Sequence, residues 1–489
     1  MLKYIGPFFR MNSLSKEDIS GQLFHLSKEA VKAICLNSKC GIVSSFRSSK
    51  KSHSNNDDST LSDFSPLLCL YQKSSPLYVH SKTSYGFDES TFRKNINPST
   101  NALMTLCLLE LSDYYSHFDT THGKVNSTKK SYSILCKKQL DFYTNNLRNS
   151  EGVFVDKKNL AEDNLKGYNL IEKDKNFNFS DQAFMMDAYF LYSLYYHDEP
   201  ISNDYMEFSI QILDMIFDFK EELYNVSFEE GCKILMALNI FYDFSKIEKS
   251  KTIIIDLSDF LINKFQEKDY FVSALDDCCL FAITLKDSFK HTEIVSFNEK
   301  SDEILEKLEG LYNNEKEIFM KLTEKKDVKY SSLEICSYFL SVLIHSNSKE
   351  ETMESRNIFS NLYKKLFIYS GIVLSWPDAP TLDEVDRYRG LSMQSIDMLD
   401  ESFFRMPDLP APEISGVAPI FVKNVTYSRK KNTFTSSKTS FDSNKNMFMF
   451  FLLIHYLKDG IVENMSFNKN KAETNKKDIE PLVEDVIEE

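Results

Sequence analysis

The sequence predicts an all-α protein in which repeated helical hairpins form an inner and an outer layer of helices. Gly and Pro are scarce, with 13 and 12 in 489 residues, whereas a turn-rich β-sandwich needs both between its strands. From about residue 101 onward, two kinds of helix alternate along the chain. Starts of the more apolar kind recur about every 45 to 60 residues, a period typical of a two-helix unit.

One kind of helix is apolar on nearly every side, and FNFSDQAFMMDAYFLYSLYY (177–196) is its clearest example. A helix that is apolar all round must be buried all round, so we assign this kind to the inner layer. The predicted inner helices begin near residues 101, 182, 231, 275, 333 and 446. A less apolar segment, 388–404, lies where a seventh inner helix would belong.

The other kind of helix carries a single apolar stripe with a period near 3.6 residues, as in YMEFSIQILDMIFDF (205–219). One stripe is typical of a helix at the surface, so these helices are assigned to the outer layer. Residues 13–36 form an amphipathic helix of this kind with a cap-like start at Ser15. We expect it to pair with the last inner helix and close a ring.

The chain divides into four stretches, which the composition distinguishes. We predict an N-terminal helix in 1–43, a flexible polar insertion in 44–66, the helical domain in 67–465 and a charged disordered tail in 466–489. Near the end of the domain, the prolines of 405–419 predict an extended strap. The alternating segment 421–441 predicts a β-hairpin with Lys430-Lys431-Asn432 as its turn.

Two helical layers made from repeated hairpins resemble the α/α toroid, the six-hairpin barrel shared by many glycosidases, sugar epimerases, polysaccharide lyases and terpene cyclases. The resemblance covers roughly residues 95–460 and rests on hairpin periodicity, without a diagnostic motif. It implies a ring of about six to seven hairpins, with the N-terminal ends of the inner helices around one substrate-binding mouth. An open solenoid is the alternative, but its inner helices usually expose a polar concave face.

Acidic and amide side chains stand at the predicted starts of the inner helices. Carboxylates around one cavity suit sugar hydrolysis or epimerisation, because a protonated carboxyl donates to an oxygen while an ionised one activates water or abstracts a proton. We predict catalytic roles for Asp181, Asp277 and Glu230. The predicted substrate contacts are Asn101, Gln182, Trp376, Arg387 and Asp397. Trp376 either stacks on a sugar ring or fills a gap beside an outer helix.

The same acids also have a purely structural interpretation as helix caps. Three serine–acid pairs have the spacing of a capping box: Ser227 with Glu230, Ser273 with Asp276, and Ser331 with Glu334. For any one of these acids, capping is the more common role, since an acid in the first turn also suits the helix dipole. Asp187, inside an apolar helix, either lines the cavity or meets a buried partner, because an unpaired carboxylate is costly to bury.

Several other functions are disfavoured by composition and motifs. A net charge of −14 argues against nucleic acid as a partner. The apolar run 447–457 is shorter than the roughly 20 residues that a membrane span needs. Nine scattered cysteines without metal-ligand spacing predict free buried thiols in a cytoplasmic protein. The chain has no GxGxxG, GxxxxGK[ST] or HExxH motif, so we expect neither a cofactor nor a metal.

The leading interpretation is a soluble toroid that acts on a small carbohydrate-like ligand by glycosidase- or epimerase-like acid–base chemistry. Sugar-processing toroids commonly line the cavity with several Trp, so Phe and Tyr would have to replace them here. The alternative is a non-catalytic helical scaffold that binds a protein or peptide. Catalysis requires an open mouth with two carboxyls about 5 to 10 Å apart, whereas a scaffold would have a plugged lumen.

Overall fold

Helices account for most of the secondary structure in the computed structural model. It describes residues 9–11, 14–44, 61, 64–72, 78–81, 84–87, 92–118, 123–161, 167–173, 177–347, 352–374, 405–407, 420–436 and 441–484. The α-helices in these ranges are α1 (Lys16–Asn37), α2 (Pro98–Ser116), α3 (Gly123–Asn146), α4 (Phe179–Tyr195), α5 (Ser202–Asp218), α6 (Phe228–Ser245), α7 (Glu248–Phe265), α8 (Tyr270–Ser273), α9 (Leu275–Thr292), α10 (Val295–Glu309), α11 (Ser332–Asn347), α12 (Met353–Tyr363) and α13 (Ser443–Glu484).

Six of these helices form a closed inner ring in the order α2, α4, α6, α9, α11 and α13, and α13 packs back against α2. The outer helices α3, α5, α7 and α10 each pack on the inner helix that precedes them. Outer helix α12 contacts α11 through the rings of Phe359 and Phe339, and α1 lies against α13. The predicted toroid is therefore confirmed. The segment 388–404, considered as a seventh inner helix, lies outside the described residues.

The difference between inner and outer helices follows from which side chains are buried. In α4 every residue from 179 to 193 is buried, since neighbours in both layers and across the ring cover all sides. In α5 the buried residues form one stripe: Ser202, Tyr205, Ser209, Ile212, Leu213 and Ile216. Burying a large apolar side chain contributes about 1.5 to 3 kcal/mol, so the inner helices, which bury apolar side chains on every side, hold the ring together.

Short strands connect the helices. Their bounds are β1 (Phe9–Met11), β2 (Gly41–Val43), β3 (Leu67–Leu70), β4 (Tyr78–Ser81), β5 (Ser84–Phe87), β6 (Asn95–Ile96), β7 (Lys157–Asn159), β8 (Leu170–Glu172), β9 (Tyr312–Asn313), β10 (Ile318–Phe319), β11 (Asp327–Ser331), β12 (Arg405–Pro407), β13 (Asn424–Ser428) and β14 (Thr433–Ser436). Strand β1 pairs with β12 in parallel, and the pairs β2–β3, β4–β5 and β9–β10 are antiparallel.

Two three-stranded antiparallel sheets, β6–β7–β8 and β11–β13–β14, lead into inner helices. The predicted hairpin in 421–441 is confirmed as β13 and β14, which pair from Ser428 with Thr433 to Val425 with Ser436. Its turn ends at Asn432, whose φ of 53° suits an Asn better than a β-branched residue. Most of the predicted strap in 405–419 lies outside the described residues.

Ion pairs join the first and last inner helices at the end of the ring away from the mouth. The buried carboxylate of Glu110 on α2 contacts the Lys458 ammonium and lies 2.9 Å from Nδ1 of His455, both on α13. Lys458 also contacts Asp113 at 2.6 Å. Burial alone would raise the pKa of Glu110, but Lys458 and His455 outweigh burial and lower that pKa to about 2.

The predicted helix starts need some correction. Ser227 and Ser331 accept the N–H groups of Glu230 and Glu334 at 3.1 and 3.0 Å, as the capping spacing predicts. The pairing of Ser273 with Asp276 is wrong, because residues 270–273 form the short helix α8, so that Ala274 is the N-cap residue of α9 and the helix begins at Leu275. Helix α4 begins at Phe179, three residues before the predicted start, with Asn178 as its N-cap residue.

All nine cysteines are free thiols and buried, as predicted. None of the described helices combines the length and the apolar character that crossing a membrane requires. Helix α13 continues to Glu484, and its side chains are described up to Glu463. The predictions of a flexible insertion in 44–66 and a disordered tail in 466–489 stay predictions.

Candidate functional site

The N-terminal ends of the six inner helices meet around a cavity of about 520 Å³. Each of these helices contributes at least one lining residue. The three predicted catalytic residues, Asp181, Glu230 and Asp277, come from three different helices and all line this cavity. Polar atoms dominate its rim because helix starts carry caps and first-turn acids.

The carboxylate of Asp181, on α4, is buried and bonded to the neighbouring helix α2. It accepts hydrogen bonds from the backbone N–H of Ser99 at 3.0 Å and from the Ser99 hydroxyl. The amides of Asn178 and Asn97 donate to it at 3.1 and 3.4 Å. Burial nevertheless raises the pKa of Asp181 to about 6, and the nearby Asp156 carboxylate adds to this rise.

Glu230, on α6, makes the same kind of contact with the helix before it. Its carboxylate accepts the backbone N–H of Ser180 at 2.8 Å and the Ser180 hydroxyl at 2.9 Å. Glu230 and Asp181 occupy the third position of their helices, and Ser180 and Ser99 occupy the second position of theirs. Each acid thus caps the start of the preceding inner helix.

A third contact of this type joins α2 to α13, where the Thr100 hydroxyl donates to Oδ1 of Asn444 at 2.6 Å. Thr100 again stands at the third position of its helix, and Asn444 stands at the second position of α13. The residue before α13, Asp442, caps that helix, because its carboxylate accepts the N–H of Lys445. Three successive junctions of the ring are therefore closed by hydrogen bonds between neighbouring helix starts. We call this part of the mouth, from α13 through α2 and α4 to α6, the closed half.

The hydrogen bond between neighbouring helix starts is absent at the next described junction, between α6 and α9. Asp277 holds the third position of α9, but the second position of α6 is Glu229, which cannot donate a hydrogen bond. Among the described residues, the Asp277 side chain has no hydrogen-bond or ion-pair partner. At the following junction, Asp276 on α9 stands near Glu334 of α11, which instead bonds Lys321 and the N–H of Ser331.

In this open half of the mouth, from α6 through α9 to α11, the carboxylates of Glu229 and Asp277 therefore accept no hydrogen bond from a neighbouring helix start that the structure describes. Burial raises the pKa of Asp277 to about 7, and the neighbouring carboxylates of Asp276 and Glu229 add to the rise. The Lys233 ammonium, 2.5 Å from Glu229, lowers the pKa of that glutamate. One carboxyl is thus half protonated near neutral pH while its neighbour stays ionised.

The two predicted amide contacts, Asn101 and Gln182, do not line the cavity. Asn101 pairs with the backbone N–H and C=O of Leu70 at 2.7 and 3.3 Å. Gln182 pairs in the same way with Phe154 at 3.0 and 2.8 Å. Asn446 repeats the arrangement with Phe421 at 2.8 and 3.0 Å. These amides tie the preceding segments to the inner helices and satisfy buried backbone groups.

A sequence pattern accompanies these amides. Each stands four residues after an N-cap Asn or Asp, as Asn97-x3-Asn101, Asn178-x3-Gln182 and Asp442-x3-Asn446. This repeat distinguishes three of the inner-helix starts and could have been recognised in the sequence, where it was not predicted. Trp376, Arg387 and Asp397 lie outside the described residues, so their predicted substrate contacts stay predictions.

Aromatic rings lie at the inner end of the cavity. Phe184 on α4 and Phe448 on α13, the two inner helices that flank α2, both line it, with ring centroids 6.4 Å apart. Phe451, three residues beyond Phe448, has its ring centroid 6.5 Å from that of Phe184. These buried phenylalanines therefore pack against one another below the mouth.

Asp187 fits neither of the two alternatives considered from the sequence. It is fully buried, it is not a lining residue, and neither carboxylate oxygen has a hydrogen-bond partner among the described residues. No group of three or more His, Cys, Asp or Glu side chains in the described part of the chain is arranged to hold a metal ion.

Comparisons with known proteins support the fold. No protein-family model and no curated protein matches the sequence. The structure is similar to the crystal structure of a D-mannose isomerase, with a TM-score of 0.51 and 9% identity over 92% of this chain and 100% of that one. It is also similar to a GH76 α-mannanase from Bacteroides thetaiotaomicron, with a TM-score of 0.41 and 8% identity over 76% of this chain and 91% of the other. At such low identity, the likeness to the isomerase shows the toroid fold alone.

Proposed function

We propose that the mouth is the active site of a carbohydrate-active enzyme, with Asp277 as general acid or base and Glu229 as the ionised carboxylate beside it. The break in the hydrogen-bonded ring of helix starts carries this proposal. Asp181 and Glu230 are occupied by Ser99 and Ser180, and we now assign both a positioning role. Of the three predicted catalytic residues, Asp277 is the one whose side chain has no hydrogen-bond or ion-pair partner among the described residues.

The ionisation of the two carboxyls suits proton transfer. General acid–base catalysis works best when the catalytic pKa lies near the working pH, and that of Asp277 is about 7. Glu229 remains ionised through its contact with Lys233. In the proposed reaction, Asp277 donates a proton to a sugar oxygen, while Glu229 accepts one or supports developing positive charge.

The substrate class is proposed from the fold and the cavity together. One solved structure whose whole chain aligns with this protein is called a D-mannose isomerase. A cavity of about 520 Å³ falls in the usual range for small-molecule sites. Phe184 and Phe448 supply the aromatic part of the cavity lining, in place of tryptophan. D-mannose and its oligosaccharides are therefore the first compounds to test.

Turnover of these sugars tests the proposal. The wild-type protein is incubated with D-mannose, D-glucose, D-fructose and mannobiose, and the products are followed by NMR. We expect at least one sugar to be isomerised or hydrolysed, and Asp277→Asn to reduce the rate by about 100-fold or more. Asp204→Asn, which changes an exposed first-turn acid on outer helix α5, is the matched control and should leave the rate unchanged.

A wild-type protein that neither binds nor converts any of these sugars would contradict the proposal and favour the non-catalytic scaffold. Unchanged turnover in Asp277→Asn would contradict the assignment of Asp277 while leaving the substrate class intact.

A further inference from the structure

Asp187 is a buried carboxyl group that the acid–base chemistry at the mouth does not use. Its side chain is 0% exposed, and neither oxygen has a hydrogen-bond partner among the described residues. Burial without a compensating charge raises its pKa well above the usual range and so favours the uncharged, protonated form. An unsatisfied polar group of this kind destabilises the fold by about 1 to 3 kcal/mol.

The position of Asp187 places it directly below the candidate site. Phe184, which lines the cavity, precedes it by three residues on the same face of α4. At a rise of about 1.5 Å per residue, Asp187 lies about 4.5 Å deeper along the helix than Phe184. The opposite side of α4 carries Tyr189, whose ring packs on Tyr205 of outer helix α5, so the Asp187 face is directed toward the ring centre.

Ser337 on α11 gives a second observation. It follows the lining residue Leu333 by one helical turn, is buried, and its hydroxyl has no partner in the described part of the chain. Two polar groups without partners thus face the lumen just below the cavity, from helices on different sides of the ring. Buried polar groups are normally satisfied, so both need an explanation.

We propose that Asp187 is a ligand-recognition residue at the deep end of the site, where it hydrogen-bonds a hydroxyl of an uncharged sugar once the Phe184 ring has turned aside. This inference rests on the proposed function. The Phe184 ring is fully buried between Asp187 and the cavity, and its aromatic contacts are edge-on with Phe448 and Phe451, at centroid separations of 6.4 and 6.5 Å. Rotation about its side-chain bonds breaks these packing contacts, and ligand binding must offset that cost.

The chemistry of the deep end selects for an uncharged ligand group. A neutral carboxyl offers one O–H donor and one C=O acceptor, which together match a sugar hydroxyl. The Lys233 ammonium, 5.8 Å from the centroid of the Phe448 ring, is already paired with Glu229, so a phosphate or carboxylate on the ligand would be costly to bury at the deep end. The unsatisfied Asp187 carboxyl destabilises the free protein, and its hydrogen bonds to the ligand would offset that cost on binding. Such a loss of stability is common at functional sites.

Calorimetric titration with D-mannose separates a recognition role from a structural one. Asp187→Leu removes the polar group, and Asp187→Asn keeps a donor and an acceptor without any charge. We expect Asp187→Leu to raise the melting temperature and weaken D-mannose binding by about tenfold or more. Asp187→Asn should bind within about threefold of the wild type, because it reproduces the neutral carboxyl.

Tyr363→Phe is the matched control. Its hydroxyl is also buried without a described partner, but it lies on outer helix α12, away from the lumen. This change should leave D-mannose binding unaltered. Wild-type affinity in Asp187→Leu would overturn the proposal, and so would an Asp187→Asn variant as weak as Asp187→Leu. A wild-type protein that binds no sugar would instead refute the proposed function from which the inference starts.

Discussion

Replacing Asp277 by Asn should change how stability depends on pH. The folded-state pKa of Asp277 is raised from 3.8 to about 7, chiefly by burial. Between these two values the folded protein binds a proton that the unfolded chain releases, so wild-type stability falls as pH rises. The Asn variant has no such proton. Its stability relative to the wild type should therefore increase from about pH 4 to about pH 7 and stay constant above that.

The magnitude follows from the size of the pKa shift. About three pH units at 1.36 kcal/mol each give an upper limit of about 4 kcal/mol. The Asp277 side chain is only partly buried, so solvent screening reduces the effect. We expect a gain of about 1 to 2 kcal/mol for the variant across this pH window. If the amide itself changes the free energy of unfolding by an amount that is the same at every pH, the pH dependence of the difference between the two proteins is unaltered.

Urea unfolding of both proteins at several values between about pH 5 and about pH 8 measures the difference, with the midpoint and slope fitted at each pH. Asp204→Asn serves again as the control, since an exposed acid on an outer helix should give a flat difference. A flat difference for Asp277→Asn as well, or one that decreases with rising pH, would refute the reasoning. Asp277 would then be an ordinary solvated carboxylate.

Two further predictions concern the contacts that hold the ring. A double-mutant cycle of Glu230→Ala and Ser180→Ala should give a coupling of about 1 kcal/mol in unfolding free energy, because these groups bond across two helices; no coupling would mean that the helix starts are independent. Lys458→Met should cost about 3 to 5 kcal/mol, since it leaves the buried Glu110 carboxylate without its main partner. A second change, Glu110→Gln, should restore part of that loss, and a single variant as stable as the wild type would contradict the ion-pair account.

The fold could be predicted because burial determines composition helix by helix. A helix covered on all sides, such as α4, has no place for a polar stripe, whereas α5 needs one. This contrast repeats along the chain and is visible in a single sequence. Helix starts were less well predicted, because Ser273 has the spacing of a capping residue although α8 shifts the start of α9 to Leu275.

The candidate site could be predicted only in part. Placing Asp181, Glu230 and Asp277 at one mouth required no more than the ring and the helix starts. Their separate roles depend on a residue of the neighbouring hairpin, which is Ser99 for Asp181 and Glu229 for Asp277. A single sequence does not show which helix starts lie level with one another. An acid that caps a neighbouring helix therefore cannot be distinguished, in the sequence, from an acid without a partner.

The crystal structure of the protein with D-mannose bound at saturating concentration tests the central claim most directly. Our account predicts the sugar in the cavity at the N-terminal ends of the inner helices, with one of its oxygens within hydrogen-bond distance of the Asp277 carboxyl. A sugar bound elsewhere on the protein, or a mouth that stays empty at that concentration, would contradict it.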